Sequence, residues 1–311
     1  MTEGERLNRR AAQASIAVAA VLIGAKLMAW LATDSIVILT SLVDSGIDLL
    51  ASLVTFVSVR QAAQPADRAH RYGHGKAEPL GAFAQAGFVG GSALILASEA
   101  IRRLITPQPI VRSGLGIAVM LGAIVLTAGL VVLQRAVVRR TGSVAIRADS
   151  LHYGSDFLMN LAVIVALVLT ELTGSPLFDP LFAFGIVLVL LYGAAAVGRR
   201  AFDMLMDREL PAAQRAQIRE LALGHPEAEG VHDLRTRRAG ADVFIELHLE
   251  LRGDLSLDEA HDITHEVEGR IREAFPEADI LVHQEPAGLA DERLDHKIAA
   301  VEPATAGSKR G

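Results

Sequence analysis

The stretch RADSLHYGSDFLMN, residues 147–160, decides how the rest of this chain is read. It heads a long apolar run, yet it carries His152 and Asp156, four residues apart. On a helix that spacing is one turn, so both side chains face the same way. Upstream, Asp44 and Asp48 repeat the spacing inside another apolar run, LTSLVDSGIDLL, residues 39–50. Two helices bearing these groups offer carboxylates and an imidazole, a tetrahedral ligand set for a divalent metal such as zinc. A charge at mid-bilayer costs about 2.5–3.5 kcal/mol, so acids placed there need compensation. A bound dication supplies it, and protons supply it when the metal leaves; clustered ligands therefore couple metal binding to proton release.

The composition supports a membrane setting. Of 311 residues, 51% are hydrophobic, and the mean hydropathy is +0.35. Runs of about 20 apolar residues, long enough to cross a bilayer core, recur along the chain. There is no cysteine, so a disulfide framework or thiolate site is excluded and any metal must use nitrogen and oxygen ligands. The net charge of −6 gives no sign of a nucleic-acid partner.

Six spans are expected, over about residues 12–31, 36–60, 79–101, 115–138, 144–172 and 180–197. The first resembles a signal peptide, but it is long enough to span and other spans follow. Lys26, inside it, is expected to snorkel or to pair within the bundle. One set of connections carries Arg6, Arg9, Arg10, Arg60, Arg68, Arg71, Lys76, Arg135, Arg139, Arg140, Arg147, Arg199, Arg200 and Arg208. The other carries Arg102, Arg103 and Arg112. The positive-inside rule puts the first set, and both termini, in the cytoplasm. Asp34 and Asp149 lie near predicted helix ends and are expected to be solvated or salt-bridged there; Asn160 is expected to pack as a polar group.

Past residue 208 the pattern changes. Residues 211–223 read as an amphipathic helix with Pro211 in its first turn. Strands are expected over 231–238 and, from the alternation ADVFIELHLEL, over 241–251. Ser256 and Glu259 form a capping box for a helix to Phe275, and a last strand runs over 278–285. The fold class is thus a polytopic α-helical membrane protein with six transmembrane helices, plus a small cytoplasmic α+β (αββαβ) domain. The expected domains are 1–208, 209–286 and a disordered tail, 287–311.

With both pairs in place, the chain resembles the cation diffusion facilitator family of proton-coupled metal efflux transporters. The resemblance covers residues 10–286. It rests on the six spans, the acidic pair on the second, HxxxD on the fifth and the αββαβ domain. RYGHGKAE, residues 71–78, and LMDRELP, residues 205–211, are also similar to family segments. It implies a homodimer with alternating access in a cell inner membrane, exchanging a divalent metal for protons. Asp44, Asp48, His152 and Asp156 match the transport site. The His there goes mostly with zinc, and with ferrous iron or cadmium in some members. Asp67, His70 and His74 match a second, loop site. His232, His248, His261, His283, Gln284 and Glu285 match a cytoplasmic metal cluster, with Glu285 standing where the pattern usually has Asp. Strand parity agrees in part: His248 points away from the Val243–Ile245–Leu247 face, and His283 and Glu285 share a face. His225, His265 and His296 are expected to be surface groups.

Other classes fit less well. An intramembrane metallohydrolase needs a metal-activated water and a base, and His265-Glu266 fails as HExxH because Gly269 occupies the second ligand position. GHGK fails as a phosphate loop, with Ala77 in place of Ser or Thr. A metal-sensing or scaffolding membrane protein of the same fold remains the alternative. No prosthetic group is expected; the partners are the bilayer, metal ions and a second copy.

Overall fold

A computed structural model of the chain describes residues 2–34, 36–105, 114–173, 177–289 and 293–298. Six long helices come first: α1 (Glu3–Thr33), α2 (Ile36–Ala62), α3 (Ala77–Ile105), α4 (Gly114–Thr141), α5 (Val144–Thr173) and α6 (Phe178–Leu205). All six are long and apolar enough to cross a membrane. Large apolar side chains such as Ile95, Val125 and Leu188 point outwards, as lipid contact requires.

The first helix starts earlier than its apolar run. Thr2 accepts the Glu5 N–H at 3.2 Å while the Glu5 carboxylate accepts the Thr2 N–H at 2.7 Å, so a capping box carries the helix through the polar start. Asp34, in the left-handed region (φ 48°), closes it by donating its N–H to the Trp30 carbonyl. In the bundle, α1 packs on α2 and α4, α5 on α4 and α6, and α3 on α6. Without a hydrophobic drive in lipid, close approach through small residues holds such helices together. Ala82, Ala86 and Ala201 are buried in one such contact. Gly81 lies so close to α2 that a Cβ there would collide with Ser58. Lys26 pairs within the bundle: its Nζ donates to Ser45 Oγ at 2.6 Å and to the Ser41 carbonyl at 3.0 Å.

The second compact unit begins at Met206, slightly before the expected boundary. It contains α7 (Ala212–Leu223), β1 (Ala228–Ala239), β2 (Asp242–Leu251), α8 (Leu257–Ala274) and β3 (Ala278–Pro286). Strand order is β1-β2-β3, with β1 antiparallel and β3 parallel to β2. Val243, Ile245, Leu247, Leu249 and Leu251 form one face of β2 and are buried with Ile218 of α7 and Val267 and Ile271 of α8. Burying such side chains stabilises by about 1.5–3 kcal/mol each. The even-numbered face of β2, with His248 and Glu250, is left for other work. His225 is buried rather than on the surface, with Nε2 3.1 Å from Glu266.

Residues 293–298 of the stretch expected to be disordered, 287–311, are among the described residues. Residues 294–298 form a short helical segment. Asp233 accepts the N–H groups of Leu294 and Asp295, each at 2.8 Å, and so nucleates it. Residues 290–292 and 299–311 of that tail lie outside the described residues.

Candidate metal sites

α2 and α5 bring three of the four expected ligands together. His152 Nε2 stands 3.1 Å from Asp48 Oδ1 and 3.9 Å from Asp156 Oδ2. One ligand atom from each lies within 4.8 Å of the others. The imidazole is buried, while the two carboxylates are about one-fifth exposed, 22% and 21%. Tyr153 meets the His152 ring edge-on, with centroids 5.5 Å apart, and limits its rotation. Asn160 donates to the Asp156 carbonyl at 2.8 Å, holding the next turn of α5. Asp44 does not join this group; it sits one turn along α2 with an exposed side chain. The set of one imidazole nitrogen and two carboxylate oxygens suits a borderline divalent ion and leaves a fourth position open.

One turn below His152, Asp149 is not a solvated end group. It is wholly buried, and its partners come from four other helices. Oδ2 accepts Ser15 Oγ of α1 at 2.5 Å and Gln134 Nε2 of α4 at 2.7 Å. Oδ1 meets Thr55 of α2 and Gln85 of α3, both at 3.5 Å. Tyr153 adds a hydroxyl pair with Ser52 at 2.7 Å and donates to the Ser15 carbonyl at 3.2 Å. The sequence signal was present: Ser15, Ser52, Thr55, Gln85 and Gln134 interrupt apolar runs, and polar groups in lipid must find partners.

In the loop between α2 and α3, Asp67, His70 and His74 form a second group. Asp67 Oδ1 is 3.4 Å from His70 Nδ1, and Asp67 Oδ2 is 3.5 Å from His74 Nε2. The amide of His70, with that of Ala69, holds the Asp67 carboxyl below the usual carboxylate range. His74 Nδ1 faces the Pro65 carbonyl at 3.2 Å, an arrangement that turns Nε2 towards a ligand position.

The third group follows from strand register. His232, His248 and His283 lie in one row across the sheet, as paired partners on β1, β2 and β3. The next row on the same face, two residues along, pairs Gly230, Glu250 and Glu285. His232, His248 and Glu285 form a ligand group: His232 Nε2 is 2.7 Å and His248 Nδ1 3.4 Å from the Glu285 carboxylate. The His283 ring lies 4.8 Å from that of His248, beside the group but outside it. Gln284 takes the Thr264 hydroxyl at 2.9 Å, and His261 stacks on His265 at 6.5 Å; neither joins the group within this chain. Two imidazoles and a carboxylate are a donor set that fits a zinc-like ion. Glu250 stands beside His232, a placement that the sequence does not announce because it depends on the register of β1 and β2.

The family model for the cation efflux transmembrane domain matches residues 12–206, and that for the cation efflux protein cytoplasmic domain matches 210–287. The chain belongs to the cation diffusion facilitator family. Cation-efflux pump FieF of Shewanella oneidensis is 47% identical over 276 residues, covering 89% of this chain and 93% of that protein. Cation-efflux pump FieF of Klebsiella pneumoniae is 46% identical over 284 residues, covering 91% and 94%. A solved structure of CzrB, a candidate zinc transporter, in its zinc form is 39% identical; it covers 28% of this chain and 99% of that one, with a TM-score of 0.26. This facilitator is accordingly a multi-pass membrane protein that moves metal cations outwards, with six apolar helices followed by a small α+β domain.

Proposed function

We propose that this facilitator exports zinc from the cytoplasm in exchange for protons, and that the ion is carried by Asp44, Asp48, His152 and Asp156. The observation that carries this reading is the meeting of Asp48, His152 and Asp156 between two membrane helices. Costly acids gathered around one imidazole favour a dication, and hydrogen ions replace it when it leaves. Asp44 supplies the fourth ligand when the ion binds. The imidazole favours zinc over harder ions, with ferrous iron and cadmium as further cargo. The working unit is a homodimer with alternating access, a reading supported by the family model named ZT_dimer for the second domain. The asymmetry of Lys and Arg favours an orientation with both termini in the cytoplasm, and the family resemblance favours the inner membrane. The loop group and the sheet group are further metal sites on that side.

The test is flux in reconstituted vesicles under an imposed pH gradient, with zinc, ferrous iron and cadmium compared. Zinc entry should drive opposite proton movement, and Asp48→Ala or Asp156→Ala should abolish both. Wild-type flux in either variant would remove the assigned site.

A further inference from the structure

A second acid and a residue of this chain's own tail stand beside the sheet group. Glu250 Oε1 lies 3.0 Å from His232 Nδ1, and the Arg293 guanidinium lies 2.8 Å from the same oxygen. Glu250 and Glu285 stand opposite each other on neighbouring strands. Like charges so placed repel, so a cation is needed between or beside them. Gly230 completes the row, and a Cβ there would come within 2.8 Å of the Glu250 carboxylate. The missing side chain thus leaves room for the carboxylate to sit against His232.

We propose that Glu250 positions His232 for the cytoplasmic metal group and that the Arg293 guanidinium competes with a bound ion for the negative charge of Glu250 and Glu285, so that metal binding and docking of residues 293–298 exclude one another. This rests on reading the sheet group as a metal site. The docked segment is fastened one residue from His232. Asp233, in the left-handed region (φ 49°), sits where the β1–β2 register shifts between His232 and Arg235. It accepts the Leu294 and Asp295 N–H groups and donates its own N–H to Asp295 Oδ2 at 3.1 Å. Arg219 of α7 adds an ion pair to Asp295 at 3.5 Å. A dication held by His232 Nε2, His248 and Glu285 draws the Glu250 carboxylate onto the far nitrogen of His232, Nδ1, and repels the guanidinium that shares it. By linkage, whatever factor the metal costs the tail, the tail costs the metal.

The experiment uses the full chain in detergent. Because it lacks cysteine, Ile298→Cys gives a single site for a fluorophore. The background carries Asp48→Ala and Asp67→Ala, so that zinc reports the sheet group. Zinc should mobilise the label. Arg293→Gln and Asp295→Ala, which undock the tail by separate contacts, should each tighten zinc about fivefold or more; Arg293→Lys should stay near the parent and Glu250→Gln should weaken binding. Zinc bound with the label unmoved, or with affinity indifferent to both undocking variants, overturns the exclusion alone. Absence of zinc binding in this background overturns the metal group and the exclusion together.

Discussion

Asp149→Ala tests whether one buried carboxylate ties five helices together. The variant removes acceptors for Ser15 at 2.5 Å and Gln134 at 2.7 Å. Ser15 has a fallback in the Ala11 carbonyl at 3.1 Å. Gln85 keeps the Ala51 carbonyl and Thr55 hydroxyl, both at 2.8 Å. Gln134 keeps only Ser15 Oγ, at 2.9 Å, so one buried N–H loses its acceptor. An orphaned donor costs about 1–3 kcal/mol, and the second lost bond about 1 kcal/mol more. The sum is about 3 kcal/mol, which for a domain of this size lowers the melting temperature by about 6–12 °C. Asp149→Asn keeps the volume and one acceptor and should cost about 1 kcal/mol. The assay is thermal unfolding of the detergent-solubilised protein, followed by circular dichroism. Should Asp149→Ala melt with the wild type, or Asn prove as damaging as Ala, the carboxylate is not the tie the geometry describes.

Selectivity and acid response offer two more tests. His152→Asp exchanges a borderline nitrogen for a hard oxygen and should broaden transport towards other divalent ions; unchanged relative rates across metals would count against His152 as a ligand. Desolvation alone would raise the Asp233 carboxyl, but the amides of Asp295 and Leu294, with His232 and His248 nearby, hold it below its ordinary value of 3.8. A depressed acid contributes fully above its ordinary value and is lost as pH falls through its folded one. The Asp233 contribution to docking should therefore persist to about pH 4 and vanish only below, as read by mobility of the label at position 298. Loosening that begins near pH 6 and disappears in Asp233→Asn would contradict this.

Much of the architecture was legible because its causes are local. Apolar runs announce the helices, and alternation announces β2. Ser256 and Glu259 announce α8, and the structure shows that capping box, with the Glu259 N–H on Ser256 Oγ. The start of α1 was misjudged because hydropathy marks lipid contact, not helix; the cap at Thr2 was the better signal. Asp149 was misjudged for a related reason. Its distance from the helix start says nothing of which helices surround it, and the four that do are far apart in sequence. Residues 294–298 look unpatterned because their helical turn is held by Asp233, 62 positions before Asp295.

From its sequence alone this facilitator was committed to six membrane helices, an α+β domain, and metal-ligating residue types one turn apart on the second and fifth helices. Those features arise from periodicity and spacing within a segment, where covalent geometry sets which side chains share a face. Tertiary structure decided that Asp48 rather than Asp44 meets His152, and that Asp149 gathers neutral donors. It also decided that Glu250 shares its row with Glu285 and its carboxylate with Arg293. Helix rotation and strand register are set by packing between distant segments, and a shift of one residue would send each of these side chains elsewhere.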